Sequence, residues 1–153
     1  MRRLLAACAL LALASTATPA GDRARRDLAA DERRGGHTLA RHVWRSDDQL
    51  RQRLRDQPDI SAASTYTDRE AAEVVVAHVL ETLANRVASW TGRRGSRANL
   101  ALRVTNLRGP PIGRVLERGS RTPRPADDAV VVLKWVERTR DFFVLTSYPE
   151  NRE

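Results

Sequence analysis

The stretch Ala129–Tyr148, AVVVLKWVERTRDFFVLTSY, decides the fold class. Its two halves, AVVVLKWVER (Ala129–Arg138) and DFFVLTSY (Asp141–Tyr148), are dense in β-branched and aromatic residues. Such residues suit a pleated, half-buried surface. Only Thr139 and Arg140 separate the runs, so they are expected to fold back on each other as an antiparallel hairpin. Upstream, NLALRVTNL (Asn99–Leu107) alternates apolar and polar residues, as a strand with one buried face does. GPPIGRVLERG supplies a turn and then a strand over Gly113–Arg118, and RTPRPADD reads as a loop.

The first half of the chain has helical texture. Thr67–Glu70, TDRE, is a capping box opening a helix that runs to about Trp90 and Gly92. Its expected buried stripe is Ala71, Val74, Val75, His78, Val79, Leu83 and Val87. A lone helical histidine beside an apolar face is ordinarily packed or solvated, so His78 is given no chemistry. Ser46 followed by Asp47 and Asp48 caps a shorter helix that buries Leu50 and Leu54 and ends at Pro58. Thr38–Arg45 makes another, expected to bury Leu39, Val43 and Trp44. Ile60–Tyr66 reads as a small-residue connection. Helices precede strands, so the fold class is α+β: N-terminal helices followed by an antiparallel β-sheet.

Residues 1–20 read as a secretory signal peptide: Arg2 and Arg3, an apolar run over Leu4–Ala14, then small residues with cleavage expected after Ala17 or Ala20. That run is too short to span a membrane, and no stable membrane insertion is expected. LAAC, Leu5–Cys8, looks like a lipoprotein box but sits too early, so anchoring through Cys8 is not expected. The protein is then expected to be secreted or periplasmic. Residues 21–34, GDRARRDLAADERR, read as a charged linker or frayed helix, and residues 35–153 as one domain. Cys8 is the only cysteine. The mature domain therefore has no disulfide, no thiolate nucleophile and no zinc–thiolate site, and must rely on its core. Without Arg2 and Arg3, 25 basic and 19 acidic residues remain, a formal charge of +6. Lys134 is the only lysine. A basic, arginine-rich surface favours polyanions, because the guanidinium fork donates two parallel hydrogen bonds to phosphate.

The motifs narrow the chemistry by what they lack. The chain has no glycine-rich phosphate loop, no HExxH and no GxSxG elbow. Three scattered histidines make a poor zinc set, and no metal or other cofactor is expected. A few histidines, many arginines and hydroxyls at the end of the last strand suffice for metal-free RNA cleavage. That reaction needs a base for the 2′-OH, an acid for the leaving oxygen, and positive charge at the phosphorus. The nucleophile belongs to the substrate.

Four segments, GGHTLARHV (Gly35–Val43), ISAASTYTDREAAE (Ile60–Glu73), PIGRVLERGS (Pro111–Ser120) and VLTSYPE (Val144–Glu150), resemble the bacterial ribonuclease A-like toxin domain of contact-dependent growth inhibition proteins. The resemblance runs from about Gly35 to Glu150. It implies a kidney-shaped α+β fold related to pancreatic ribonuclease but without its disulfides. It also implies an active site made of a helix-borne histidine, an arginine on the next helix, and a threonine and a tyrosine on the last strand. In this chain those are His42, Arg53, Thr146 and Tyr148. The expected function is then a metal-independent endoribonuclease cleaving single-stranded RNA, an antibacterial toxin acting as a monomer, with a cognate immunity protein as partner. The competing reading is a secreted basic module that sequesters nucleic acid or another polyanion without turnover.

Thr146 and Tyr148 are two apart on a strand and face the same side. His37 and His42 are five apart, so on a continuous helix they would point about 140° from each other. The resemblance implies that His42 carries proton transfer; His37 is assigned to substrate binding, with its role left open between an N-terminal helix residue and a second proton carrier. The chain is also expected to depart from the family's context, with its own leader and without a large delivery region.

Overall fold

The computed structural model describes residues 24–151. The expected signal peptide and Cys8 lie outside the described residues. The chain runs α1 (Leu28–Arg33), α2 (Thr38–His42), α3 (Asp47–Asp56), β1 (Ala62–Tyr66), α4 (Arg69–Thr82) and α5 (Ala84–Thr91). Then follow β2 (Leu100–Val104), β3 (Gly113–Glu117), β4 (Arg124–Ala126), β5 (Asp128–Val136) and β6 (Asp141–Glu150). Two three-stranded antiparallel sheets form, in the orders β2-β5-β6 and β1-β3-β4. This is the expected α+β class.

The hairpin β5–β6 is the backbone of the larger sheet, paired from Asp128↔Glu150 to Val136↔Asp141. Its turn is wider than the two residues expected. It spans residues 137–140, with Arg140 in the left-handed region (φ 51°) and its N–H donating to Glu137 O at 3.3 Å. The ladder slips once: Val132 faces Thr146 while Leu133 faces Val144, so Leu145 is an extra residue in β6. A bulge of this kind bends the strand and re-aims the side chains beyond it.

Helix α4 packs Val75, Val76 and Val79 on this sheet, against a core that includes Leu102, Val131, Leu133 and Val144. Its N-cap is Asp68, accepting from Ala71 N–H, one residue past the expected Thr67. The buried face is rotated accordingly: Ala72, Val76 and Val79 are inside, while His78 is exposed. Valine at all three of positions 74–76 lets the helix settle in either phase, and packing chooses. The helix also breaks at Leu83, which caps both α4 and α5.

The segment expected to be a mere connection is strand β1, paired with β3 from Ala62↔Glu117 to Tyr66↔Gly113. Gly113 is required there, because a Cβ would lie 2.2 Å from Thr65 O. Part of the expected loop before β5 is strand β4. Helix α3 covers this smaller sheet with Leu50 and Leu54 on Ala63 and Leu116, and Ser46 forms a capping box with Gln49. Tyr66 is fully buried, and its hydroxyl bonds Ser147 Oγ at 2.6 Å, tying β1 to β6.

The expected linker 21–34 needs correction for its second half. Residues 28–33 form α1, and Leu28 and Asp31 are buried. Asp31 accepts from Arg26 Nε and Nη2 at 2.8 and 2.7 Å and from Val144 N–H at 3.1 Å. One buried leucine and one buried carboxylate hold a charged segment that composition alone marks as solvated. Among the described residues no helix is long and apolar enough to cross a membrane.

Asp31→Ala leaves the Arg26 guanidinium and the Val144 N–H without their acceptor inside the fold. The expected loss is about 3 kcal/mol, the scale for breaking a buried ion pair from one side. It is read as a lowered denaturation midpoint with an unchanged slope. A variant as stable as wild type would show that α1 is not part of the cooperative unit.

Candidate functional site

A cavity of about 830 Å³ opens where α2, α3, β1 and the end of β6 meet. His37, His42, Arg53, Ser64, Thr146 and Tyr148 all line it. Every residue singled out in the sequence as a site candidate therefore reaches one space.

His42 is the last residue of α2 and is only 5% exposed. Its Nδ1 lies 3.3 Å from Ser64 O on β1. A carbonyl can only accept, so the neutral ring carries its proton on Nδ1 and leaves Nε2 as the acceptor. Arg53 Nη1 stands 3.4 Å from Nδ1 and 3.5 Å from Nε2. Near-equal distances place the guanidinium nitrogen over the ring rather than in line with either nitrogen. Burial first, and then the Arg53 charge, push the His42 pKa down to about 3. The imidazole is thus a neutral ring at physiological pH, with Nε2 unprotonated. The ring of Tyr148 lies 5.4 Å from it, tilted by 32°.

Arg53 sits on α3, eleven residues on, steadied by Nε donating to Gln57 Oε1 at 3.3 Å. It has no carboxylate partner among the described ion pairs. Burial and Arg41 lower its pKa, yet a guanidinium stays protonated in proteins. A half-buried cation without a carboxylate partner has the capacity to take up an anion. Thr146 Oγ1 is buried and has no hydrogen-bond partner. A hydroxyl left unsatisfied in a cavity is costly unless something it can bond enters. Burial, with the charge of Glu150, raises the Tyr148 pKa and keeps its phenol a proton donor.

The helical-wheel expectation for His37 does not hold. Helix α2 begins at Thr38, so His37 is its N-cap, with φ −151° and ψ 26°. It is not on the wheel at all. Its backbone N–H donates to Leu145 O at 2.9 Å, the carbonyl of the bulged residue, and this brings the imidazole to the same cavity as His42. Burial, Arg41 and Arg53 lower its pKa, with Glu32 opposing. The Ser64 carbonyl was not foreseen, because β1 was not read as a strand and a backbone acceptor leaves no residue signature. His78 lies on a different groove, near Thr82, and takes no part.

A family model described as the bacterial CdiA-CT RNAse A domain matches residues 36–149. Among solved structures, a CdiA-CT/CdiI complex from Y. kristensenii 33638 contains a similar chain, with a TM-score of 0.66 and 23% identity. The match covers 76% of this chain and 100% of that one, and it shows a shared fold. Among curated proteins no match was found.

The buried, neutral His42 has a measurable signature. Between about pH 6.5, where an unfolded histidine titrates, and about pH 3, the unfolded chain binds a proton that the folded chain refuses. Stability is therefore lost as pH falls through that window. By NMR the His42 ring resonances should stay flat from pH 7 to below pH 5. His42→Gln should remove part of the acid sensitivity of the melting temperature. A His42 midpoint near 6.5 would contradict the burial and charge argument.

Proposed function

Since the chain belongs to the family of bacterial CdiA-CT RNase A domains, ribonuclease toxin domains, we propose that it is an antibacterial endoribonuclease that cleaves single-stranded RNA by internal attack of the 2′-OH without a metal. The observation that carries this reading is His42, buried and neutral with Nε2 unprotonated, set against Arg53, which has no carboxylate partner among the described ion pairs. A phosphodiester anion entering the cavity supplies the counter-ion that Arg53 lacks. His42 Nε2 then takes the 2′-OH proton while the 2′-oxygen bonds to phosphorus and the 5′-oxygen departs, leaving a 2′,3′-cyclic phosphate. Arg53 offsets the charge that builds on the phosphoryl oxygens. The unsatisfied Thr146 hydroxyl and the Tyr148 phenol donate to phosphate or base. The departing oxygen needs a proton, and His37 is the second imidazole facing the same space. The bound phosphate also counters the arginine charges that depress the pKa of both rings, so each regains proton affinity when substrate is present.

Secretion through residues 1–20, a monomeric state and a cognate immunity protein belong to the same proposal. The Yersinia chain that shares the fold is complexed with CdiI.

Purified protein incubated with single-stranded RNA in chelator is expected to yield cyclic-phosphate ends. His42→Ala should lose about 10²- to 10⁴-fold in rate with the fold intact by circular dichroism. His37→Ala should lose a comparable factor. RNA that stays intact would leave a polyanion-binding module instead, and full activity of His37→Ala would leave His42 as the sole proton carrier.

A further inference from the structure

Between the helix that carries His42 and the helix that carries Arg53 lie only Val43, Trp44, Arg45 and Ser46. Trp44 is 72% exposed and is the exposed large hydrophobic side chain of the described residues. Its backbone has φ 55°, the left-handed region that bulky residues seldom adopt. Both features are unfavourable, and glycine at this position would avoid both. The strain is imposed from either side. Val43 forms a bridge to Tyr66, and Arg45 N–H donates to Thr65 Oγ1 at 3.0 Å. Arg45 Nε donates to Val43 O at 2.9 Å, and Arg114 Nη2 donates to Arg45 O at 2.8 Å. Trp44 is thus an indole on a rigid mount with its ring in solvent. A side chain kept in a costly conformation by a surrounding that over-determines it points to use.

Its neighbourhood says what kind of use. Two residues of chain span at most about 7 Å, so the Trp44 Cα lies within that distance of the His42 Cα. Arg41 is exposed and Arg45 is half-exposed, one on each side in RHVWR. An exposed aromatic face whose sequence neighbours Arg41 and Arg45 carry positive charge suits a nucleobase with its phosphates, because every base presents a π-face. It suits an acidic protein surface less well, since such a surface offers nothing to stack.

We propose that Trp44 is a stacking platform for a nucleobase adjoining the scissile phosphate. The inference rests on the ribonuclease reading for its substrate, and it assigns a subsite which that reading does not contain. Stacking on any base makes the contact independent of sequence. The enzyme is then held to single-stranded nucleic acid, where bases are free to splay, rather than to a base identity.

The test uses a single-stranded 2′-deoxyoligonucleotide, which lacks the 2′-OH and cannot be cleaved. Trp90 is buried and Trp135 half-buried, so quenching on titration should come chiefly from Trp44. Wild type should quench. Trp44→Gly should fold at least as stably, should not quench, and should bind about tenfold more weakly, within the range of one base–aromatic stack. Trp44→Phe should restore most of the affinity. Equal affinity of Trp44→Gly and wild type would overturn the platform, and so would affinity lost in Trp44→Gly but not regained with Phe. RNA cleaved normally alongside unchanged binding by Trp44→Gly would sink the platform alone. Quenching without any RNA cleavage would retain the platform and sink the catalytic reading.

Discussion

One hydrogen bond joins the two halves of the cavity: Leu145 O, on the bulge of β6, accepts from His37 N–H at 2.9 Å. The carbonyl of the extra residue is taken up by the N-cap of α2. The extra residue also sets the phase of the strand beyond it, so that Ser147 and Pro149 are buried while Thr146, Tyr148 and Glu150 are only half-buried and line the cavity. A one-residue slip in a strand moves every side chain to the opposite face. Without the bulge, Val144 and Thr146 could not both be placed as they are, one in the core and the other at the cavity. Gly36 lets α2 approach this closely, since a Cβ there would stand 2.5 Å from Val144 O.

The electrostatics of the cavity follow from what it lacks. Burying a cation without a partner is unfavourable, and so is leaving a hydroxyl unbonded. Arg53 and Thr146 Oγ1 do both within the space that holds His42. Burial first, and then the charge of the arginine that would hold a phosphate, keep the imidazole neutral. In the proposed reaction a bound phosphate would offset the Arg53 charge beside the ring and so raise its proton affinity.

How far the sequence reveals this can be traced residue by residue. The hairpin, the capped helix α3 and the Thr146–Tyr148 pair follow from patterns of period two and 3.6 that tertiary packing leaves intact. Strand β1 was hidden because AASTY is short, and its small residues give no alternating signal. Its identity comes from Gly113 and Glu117 across the ladder, contacts that lie far off in sequence. Helix α1 was hidden because its place depends on two residues, Leu28 and Asp31, amid a run of solvated charge. The 140° separation of His37 from His42 requires a continuous helix, but the helix begins at Thr38, where it was expected, and His37 precedes it as the N-cap. The four residues at family spacing were legible, but the Ser64 carbonyl that fixes the His42 tautomer was not, since any residue supplies a carbonyl.

With no cysteine after Cys8, the described fold is joined by buried polar contacts instead of disulfides, and their distribution is uneven. Asp31 accepts from Val144 N–H on one side of the bulge, and Tyr66 bonds Ser147 Oγ on the other, where Ser147 Oγ also donates to Val130 O at 2.9 Å. Between these ties lie Leu145 and Thr146, the residues that hold His37 and offer the free hydroxyl. Buried, satisfied networks rigidify what they enclose. Catalytic groups must be held within a fraction of an ångström of their working geometry. In the proposed reaction, a strand that carried Thr146 and Tyr148 at a fraying sheet edge could not do this, since β6 is paired only to β5 within its sheet. The polar ties from α1 and β1 give the free side of β6 the fixity that a further strand would otherwise provide, and they leave its cavity face open to substrate.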